Sequence, residues 1–336
     1  MSKKIRTLVL GGGRIGELHA KNILTYVREM QLVAVVEPKP SASLRQVCAD
    51  SNTPLVAGTD DHLKSADAVI VATPTPLHEE LVKIALDAGL HVLCEKPLAG
   101  DLAAANRMLA AATSSGRVLQ VGFNRRFDRN FMALRDAVEN GSVGTVESLR
   151  ITSRDPAPPG IEYIRKSGGL FMDMSIHDFD MARFLTGDEV VSVYAKGACL
   201  IDGEIGAAGD IDTAVITLTF AGGALGVIEN SRRATYGYDQ RAGIHGSRGA
   251  AESGNNVGSS VIISDEGGVH GEKPLYFFLE RYRDSFVAEL ESFAHAILNG
   301  HTPRVTGSDG IEAMRIAEAC RRSYERGCEV APAEVE

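Results

Sequence analysis

Residues 5–27, IRTLVLGGGRIGELHAKNILTYV, decide the fold class. The apolar run IRTLVL has a strand's length, three glycines stop it, and RIGELHAKNILTYV carries apolar residues at helical spacing. Gly11-Gly12-Gly13-Arg14-Ile15-Gly16 fits G-x-G-x-x-G between that strand and that helix. Gly11 permits the tight turn, Gly13 lets a pyrophosphate approach the backbone, and Gly16 lets helix and strand pack closely. Arg14 and Ile15 open the helix, whose N-terminus offers amide donors and a positive dipole to phosphates.

Further along, LVAVVE ends at Glu37, where an acid accepts hydrogen bonds from adenosine ribose hydroxyls. Glu37 would repel a 2′-phosphate, which favours NAD; Arg14 and Lys39 could counter its charge, so NADP stays open as the less favoured cofactor. A helix near SLRQVCAD, the strand ADAVIVAT, the helix LHEELVKIALDAG, the strand HVLCE, the helix DLAAANRMLAAATSSG and the strand VLQVGF follow. Strands alternating with helices predict βαβ units and a doubly wound parallel sheet, a Rossmann domain over residues 1–123. Thr73-Pro74-Thr75-Pro76-Leu77-His78 and Glu95-Lys96-Pro97 fall at later strand ends, where ligands of such sheets bind. Lys96 can reach a substrate there as a donor or proton-transfer group; taken alone, the triplet also suits an exposed turn.

A net charge of −9 argues against nucleic acid and anionic membranes as main partners. No apolar run is long enough to span a bilayer, and the glycines cut the basic, apolar N-terminus too short for a leader. The expected compartment is the cytoplasm. Five cysteines without paired spacing are read as free buried thiols, with no disulfide framework or zinc site.

The second half, residues 124–336, opens with the helical FDRNFMALRDAVENG. β-like runs then recur at TVESLRITS, VVSVYAKGACL, DTAVITLTF, ALGVIENSR and RAGIHGS, and the chain closes with two helical stretches. GEIGAAGD and SDEGGVHGEKP read as loops. Within GGLFMDMSIHDFDMARFLTG (168–187), Asp173, His177 and Asp180 fall within about 60° of one another on a regular helix, among apolar neighbours. Asp178 points away and is expected at the surface or as a cap. The stripe could be a surface i,i+4 pair or a catalytic wall. A metal reading lacks a further local ligand, so no metal is expected.

GGGRIG, ATPTPLH, Glu95-Lys96-Pro97, GFNRRFD and the DxxxH of residues 173–177 occur in this order. Together they resemble the glucose–fructose oxidoreductase, inositol dehydrogenase and rhizopine-catabolism family of nicotinamide-dependent sugar and polyol dehydrogenases. DMSIHDFDMARFLTG, AGDIDTAVITLTF and SRRATYGYDQR look closest to bacterial inositol 2-dehydrogenases. The resemblance implies an α/β protein: a Rossmann domain, then an α/β domain with an open, mainly antiparallel sheet that binds substrate and builds a homotetramer. It also implies NAD-dependent oxidation of a myo- or scyllo-inositol hydroxyl to a ketone.

Carried over, the resemblance places Lys96, Asp173 and His177 around the reacting carbinol. His177 is a suitable base because its ordinary pKa lies near operating pH. Asp173 would orient the imidazole, and Lys96 would bond the same hydroxyl or relay its proton. Thr73, Pro74, Thr75, His78, Glu95 and Lys96 would line the cofactor side. Asn124, Arg125, Asp155, Tyr163, Tyr236 and Gln240 are candidates for the polyol pocket. Thr75 stands where many relatives carry asparagine, and Pro38-Lys39-Pro40 is an unusual sequel to the acidic strand end. A dehydrogenase of another sugar or aminosugar, a redox-neutral enzyme with tightly held NAD, and a non-catalytic dinucleotide sensor or scaffold are the competing functions.

Overall fold

The computed structural model describes residues 4–59 and 62–335. Residues 1–3 of the basic N-terminus lie outside the described residues, as do 60, 61 and 336. The first elements are β1 (Ile5–Leu10), α1 (Arg14–Thr25), β2 (Met30–Val36), α2 (Ala42–Asp50), β3 (Leu55–Val56), β4 (Ala68–Val71), α3 (His78–Asp87), β5 (His91–Glu95), α4 (Leu102–Ser115) and β6 (Leu119–Gly122). Their strands form one sheet in the order β3-β2-β1-β4-β5-β6, every pair parallel. Leu8, Val9 and Leu10 are all buried, as are the four residues of β4, because helices cover both faces of such a sheet. The order reverses between β1 and β4. The crevice beyond their C-terminal ends is where open α/β sheets take ligands.

The next elements are α5 (Arg129–Glu139), β7 (Val146–Arg154), α6 (Ile161–Ile164), α7 (Ile176–Thr186), β8 (Val190–Ala198), α8 (Gly203–Ala207), β9 (Thr213–Phe220), β10 (Leu225–Ser231), β11 (Asp239–Gly246), β12 (Gly249–Ser253), β13 (Ile262–Asp265), β14 (Gly268–Gly271) and α9 (Phe278–Arg281). A second sheet runs β12-β11-β7-β10-β9-β8, with only β7 and β10 parallel. In β9, Ala214, Ile216, Leu218 and Phe220 are buried while Val215 and Thr217 are exposed, the alternation of a sheet covered on one face.

Two stretches expected as loops carry structure. Asp202 caps α8 by accepting from Glu204 N, and residues 264–274 contain most of the β13–β14 hairpin. Their glycines mark turns within elements, as Gly268 does at φ +132°.

The chain closes with α10 (Arg283–Asn299) and α11 (Gly307–Arg326). Two compact units result: residues 1–127 with 284–312, and residues 128–283 with 313–336. The expected single break, with everything from 124 onward in one domain, therefore differs from the structure. The reason is packing: Leu290, Phe293 and Ala294 of α10 complete the core formed by Val9, Ile23, Val35, Ile70 and Leu93. No helix among the described residues is long and apolar enough to cross a membrane.

Candidate active site

The glycine turn behaves as its spacing predicts. Gly11 sits at φ +92°, and a Cβ there would lie 2.6 Å from the Ala72 carbonyl oxygen at the end of β4. A Cβ on Gly16 would lie 1.8 Å from the Gly11 oxygen, so only glycine lets α1 start this close to β1. At Gly13 nothing stands within 4 Å of a Cβ position. Gly13 N-caps α1 without a side-chain hydrogen bond, leaving the helix start open to an anionic group. Arg14 is exposed beside it and Ile15 partly buried. Glu37, just past β2, accepts from Gly12 N at 2.8 Å and Lys39 N at 2.9 Å. Its carboxylate is thereby fixed while keeping further acceptor capacity. Beyond it lies a cleft lined by Pro38, Pro40, Arg45 and Leu55. An open glycine cradle plus a fixed acid at the second strand end fits a dinucleotide.

Thr73, Pro74 and Thr75 form the turn between β4 and α3. His78 was expected at the cofactor. It is buried, with Nδ1 facing the Pro97 oxygen at 3.0 Å and Nε2 the Thr73 oxygen at 2.9 Å. Both ring nitrogens are thus engaged by backbone carbonyls, and His78 ties the 73–75 turn to the 95–97 turn. Glu95, also expected on the cofactor side, is partly buried at the end of β5. Its Oε1 lies 2.7 Å from Nε2 of His19 on α1, because a strand-end carboxylate beside a buried imidazole gains more by pairing than by facing solvent. Lys96 follows, half-buried, joined to Pro97 by a cis peptide bond. After β6, Asn124 and Arg125 are buried in a single helical turn, and Asn124 Nδ2 has no partner among the described residues.

Lys96 belongs to the first unit; Asp173 and His177 belong to the second. There, residues Phe171–Ser175 form a π-helical turn leading into α7. The wider i→i+5 turn changes the phase between Asp173 and His177 from that of a regular helix, and such turns recur at functional sites. Asp173 accepts from the Tyr163 hydroxyl at 2.7 Å and from Arg232 at 3.2 Å. Arg232 also lies 3.7 Å from Asp210, which itself accepts from Leu170 N. Burial and the adjacent Asp173 carboxylate push the Tyr163 phenol well above its ordinary pKa, so its hydroxyl stays a donor.

Asp178 corrects the expectation of a surface group. It is fully buried and accepts from Asn230 Nδ2 at 2.7 Å, while Ser175 donates to Asn230 Oδ1 at 2.6 Å. A buried carboxylate needs donors, and Asn230 on β10 pins the helix to the sheet through it. Asp180 is also buried, and His177 is partly so.

Asn230 and Arg232 were missed in the sequence, yet a signal existed. Along β10 the inward positions run Gly226, Ile228, Asn230, and a period of two then reaches Arg232. Polar residues at buried alternation sites mark designed contacts.

Among the polyol-pocket candidates, Asp155 N donates to the Ser231 oxygen beside the end of β10. The Tyr236 hydroxyl donates to Asp239 at 2.6 Å and accepts from Arg154 at 2.7 Å. Burial and the Asp239 carboxylate raise its pKa as well. Gln240 is buried, accepts from Ser153, and has no partner for Nε2 among the described residues. Of the cysteines, Cys48, Cys94 and Cys320 are buried as expected, but Cys199 and Cys328 are exposed.

The chain matches the oxidoreductase family, NAD-binding Rossmann fold, over residues 5–123 and the GFO/IDH/MocA C-terminal domain over residues 131–252. It is 47% identical to a myo-inositol 2-dehydrogenase of Thermotoga maritima, across 96% of this chain and 96% of that protein. It is 43% identical to an inositol 2-dehydrogenase of Rhizobium meliloti, across 95% and 96%. Among solved structures, scyllo-inositol dehydrogenase from Lactobacillus casei with bound NAD(H) and scyllo-inositol superposes with a TM-score of 0.91. That protein is 29% identical, and the match covers 98% of this chain and 100% of that one.

Proposed function

This chain belongs to the GFO/IDH/MocA oxidoreductase family, and we propose that it is an inositol 2-dehydrogenase, oxidising myo- or scyllo-inositol to the ketone with NAD. The observation that carries the substrate is the near full-length likeness to relatives bearing that name. NAD, when bound, supplies the hydride acceptor. The open cradle at Gly13 and the start of α1 hold its pyrophosphate, Glu37 its adenosine ribose, and the 73–75 turn and Lys96 its reactive end. Lys96 and His177 are the two groups that hold and move the hydroxyl proton. Asp173, braced by Tyr163 and Arg232, provides the fixed negative charge that orients His177. Asn124, Arg125, Asp155, Tyr236 and Gln240 recognise the remaining hydroxyls, a mixture of donors and acceptors that a cyclitol requires.

The direct test follows reduced-nicotinamide absorbance with NAD, then NADP, against myo-inositol, scyllo-inositol, glucose and aminosugars. Turnover of an inositol with NAD is expected. Turnover confined to another sugar would move the substrate, and none at all would favour a tightly held cofactor or a sensor.

Glu37→Ala is expected to raise the NAD dissociation constant by about 10- to 100-fold, the worth of hydrogen bonds to a charged group. It should also improve NADP relative to NAD, because Lys39 and the cleft residue Arg45 remain as cations without the acid. Unchanged NAD affinity in a calorimetric titration would remove Glu37 from the ribose contact.

We place the protein in the cytoplasm as a homotetramer. Val215 and Leu225, 46% and 60% exposed on one face of the second sheet, supply the apolar surface for assembly. Light scattering on the purified protein reads the subunit number directly.

A further inference from the structure

One buried acid in the first unit has no part in the chemistry above. Glu289 on α10 is fully buried, and neither carboxylate oxygen has a hydrogen-bond partner among the described residues. Atoms of His19, Glu95 and Glu289 lie within 4.8 Å of one another. His19, also fully buried, gives Nε2 to Glu95 and stacks edge-on against Phe286, three residues before Glu289 on the same helix. Gln120 of β6 donates to the backbone oxygen of Glu289 at 3.2 Å and holds that turn of α10 in place. The other oxygen of Glu95 packs over Gly122, where a Cβ would lie 2.8 Å from it. Among the described residues, the titratable groups facing Glu289 are Glu95 from β5 and His19 from α1, with the amide of Gln120 from β6.

An ionised Glu289 would put an unpaired charge in the core, against a second carboxylate. The geometry points to Glu289 as a neutral, proton-holding carboxyl that leaves Glu95 the single carboxylate on His19, so that the trio positions the 95–97 turn and with it Lys96. Burial, and then the Glu95 charge, push its pKa well above the ordinary value, in the same direction. Lys96 is held from both sides: through the Glu95 side chain by His19, and through the Pro97 carbonyl by His78. Glu289, His19 and His78 are positioning residues. Their effect on turnover rests on the reading of Lys96 as a proton-handling group, whereas the proton on Glu289 does not.

Two readouts separate these. An unfolded glutamic acid loses its proton near about 4.3, and the buried one keeps it to higher pH. Above that value unfolding releases the proton, so native stability falls with rising pH until the folded group also ionises. Glu289→Gln and Glu289→Met, both permanently neutral, lack this loss. In thermal denaturation from pH 5.5 to 8.5 with EDTA present, the Tm of each variant minus that of the parent should climb by several degrees as pH rises. The offset at low pH differs between the two variants; the slope does not.

A flat or falling difference in both variants would mean that Glu289 is ionised and overturn the assignment. So would one equivalent of divalent metal in the purified parent that Glu289→Gln abolishes. For positioning, His19→Ala should lower kcat at least tenfold with KM for NAD within about twofold, and Glu289→Gln should extend the alkaline limb of kcat/KM. If Lys96→Met keeps turnover, the proton-handling role given to Lys96 is at fault and the Tm slopes still report on Glu289. If Lys96→Met is inactive but His19→Ala has parental kcat and Glu289→Gln the parental pH profile, the positioning role is wrong.

Discussion

Lys96→Ala and His177→Ala should each lower kcat for NAD reduction by about 10²- to 10⁴-fold, the range for removing a general acid–base group. NADH affinity, read by fluorescence titration, should stay within about twofold of the parent. Lys96 follows the last residue of β5, while the glycine cradle and Glu37, proposed above to hold most of the dinucleotide, lie between β1 and α1 and just past β2. Loss of the amine therefore removes proton handling with little loss of cofactor grip. The double variant distinguishes a unit from two independent groups: if both act on one proton, its kcat should fall little below that of the worse single variant. Near-parental kcat in either single variant across pH 6–10 would remove that residue from the chemistry.

Phe293→Ala should destabilise the protein by about 3–5 kcal/mol, the cost of emptying a large buried aromatic site. Phe293 is fully buried in the same cluster as Val9, Ile70 and Leu93, although it lies far along the chain from all three. Leu298→Ala, at a position 51% exposed on the same helix, is the control and should stay within about 0.5 kcal/mol. Urea denaturation of both variants checks the pair. If Phe293→Ala costs less than 1 kcal/mol, α10 is not part of the first core. A fragment ending at residue 123 lacks this helix, and it should not show the cooperative unfolding of the whole chain.

These expectations divide the site by how local its causes are. The glycine turn, the acid at Glu37 and the placement of Lys96 at a strand end were legible because each depends on a few consecutive residues and on strand–helix alternation. Strands β7 to β11 of the second sheet were legible for the same reason, since period-two alternation survives in TAVITLTF whatever packs upon it, whereas the edge strand β12 was not read. Asp178 was misread because the side of α7 away from His177 and Asp180 was expected to face solvent, whereas residues 178–182 are all buried, and because Asn230 lies 52 residues away. Glu95 and His78 were assigned to the cofactor by position in the chain. Their partners, His19 at a separation of 76 and the Pro97 carbonyl at 19, become neighbours only when β1, β4 and β5 align.

The sequence by itself determined most of the elements, their order, the dinucleotide turn and the kind of chemistry, because backbone sterics, side-chain periodicity and residue type act over a turn or a strand. Only the tertiary structure decided which polar groups are buried together: Asp173 with Tyr163 and Arg232, Asp178 with Asn230, and Glu289 beside Glu95 and His19. It also decided that α10 returns to the first core. Burial is set by what covers a residue, and the cost of an unpaired charge in the core then selects its partner from a distant part of the chain.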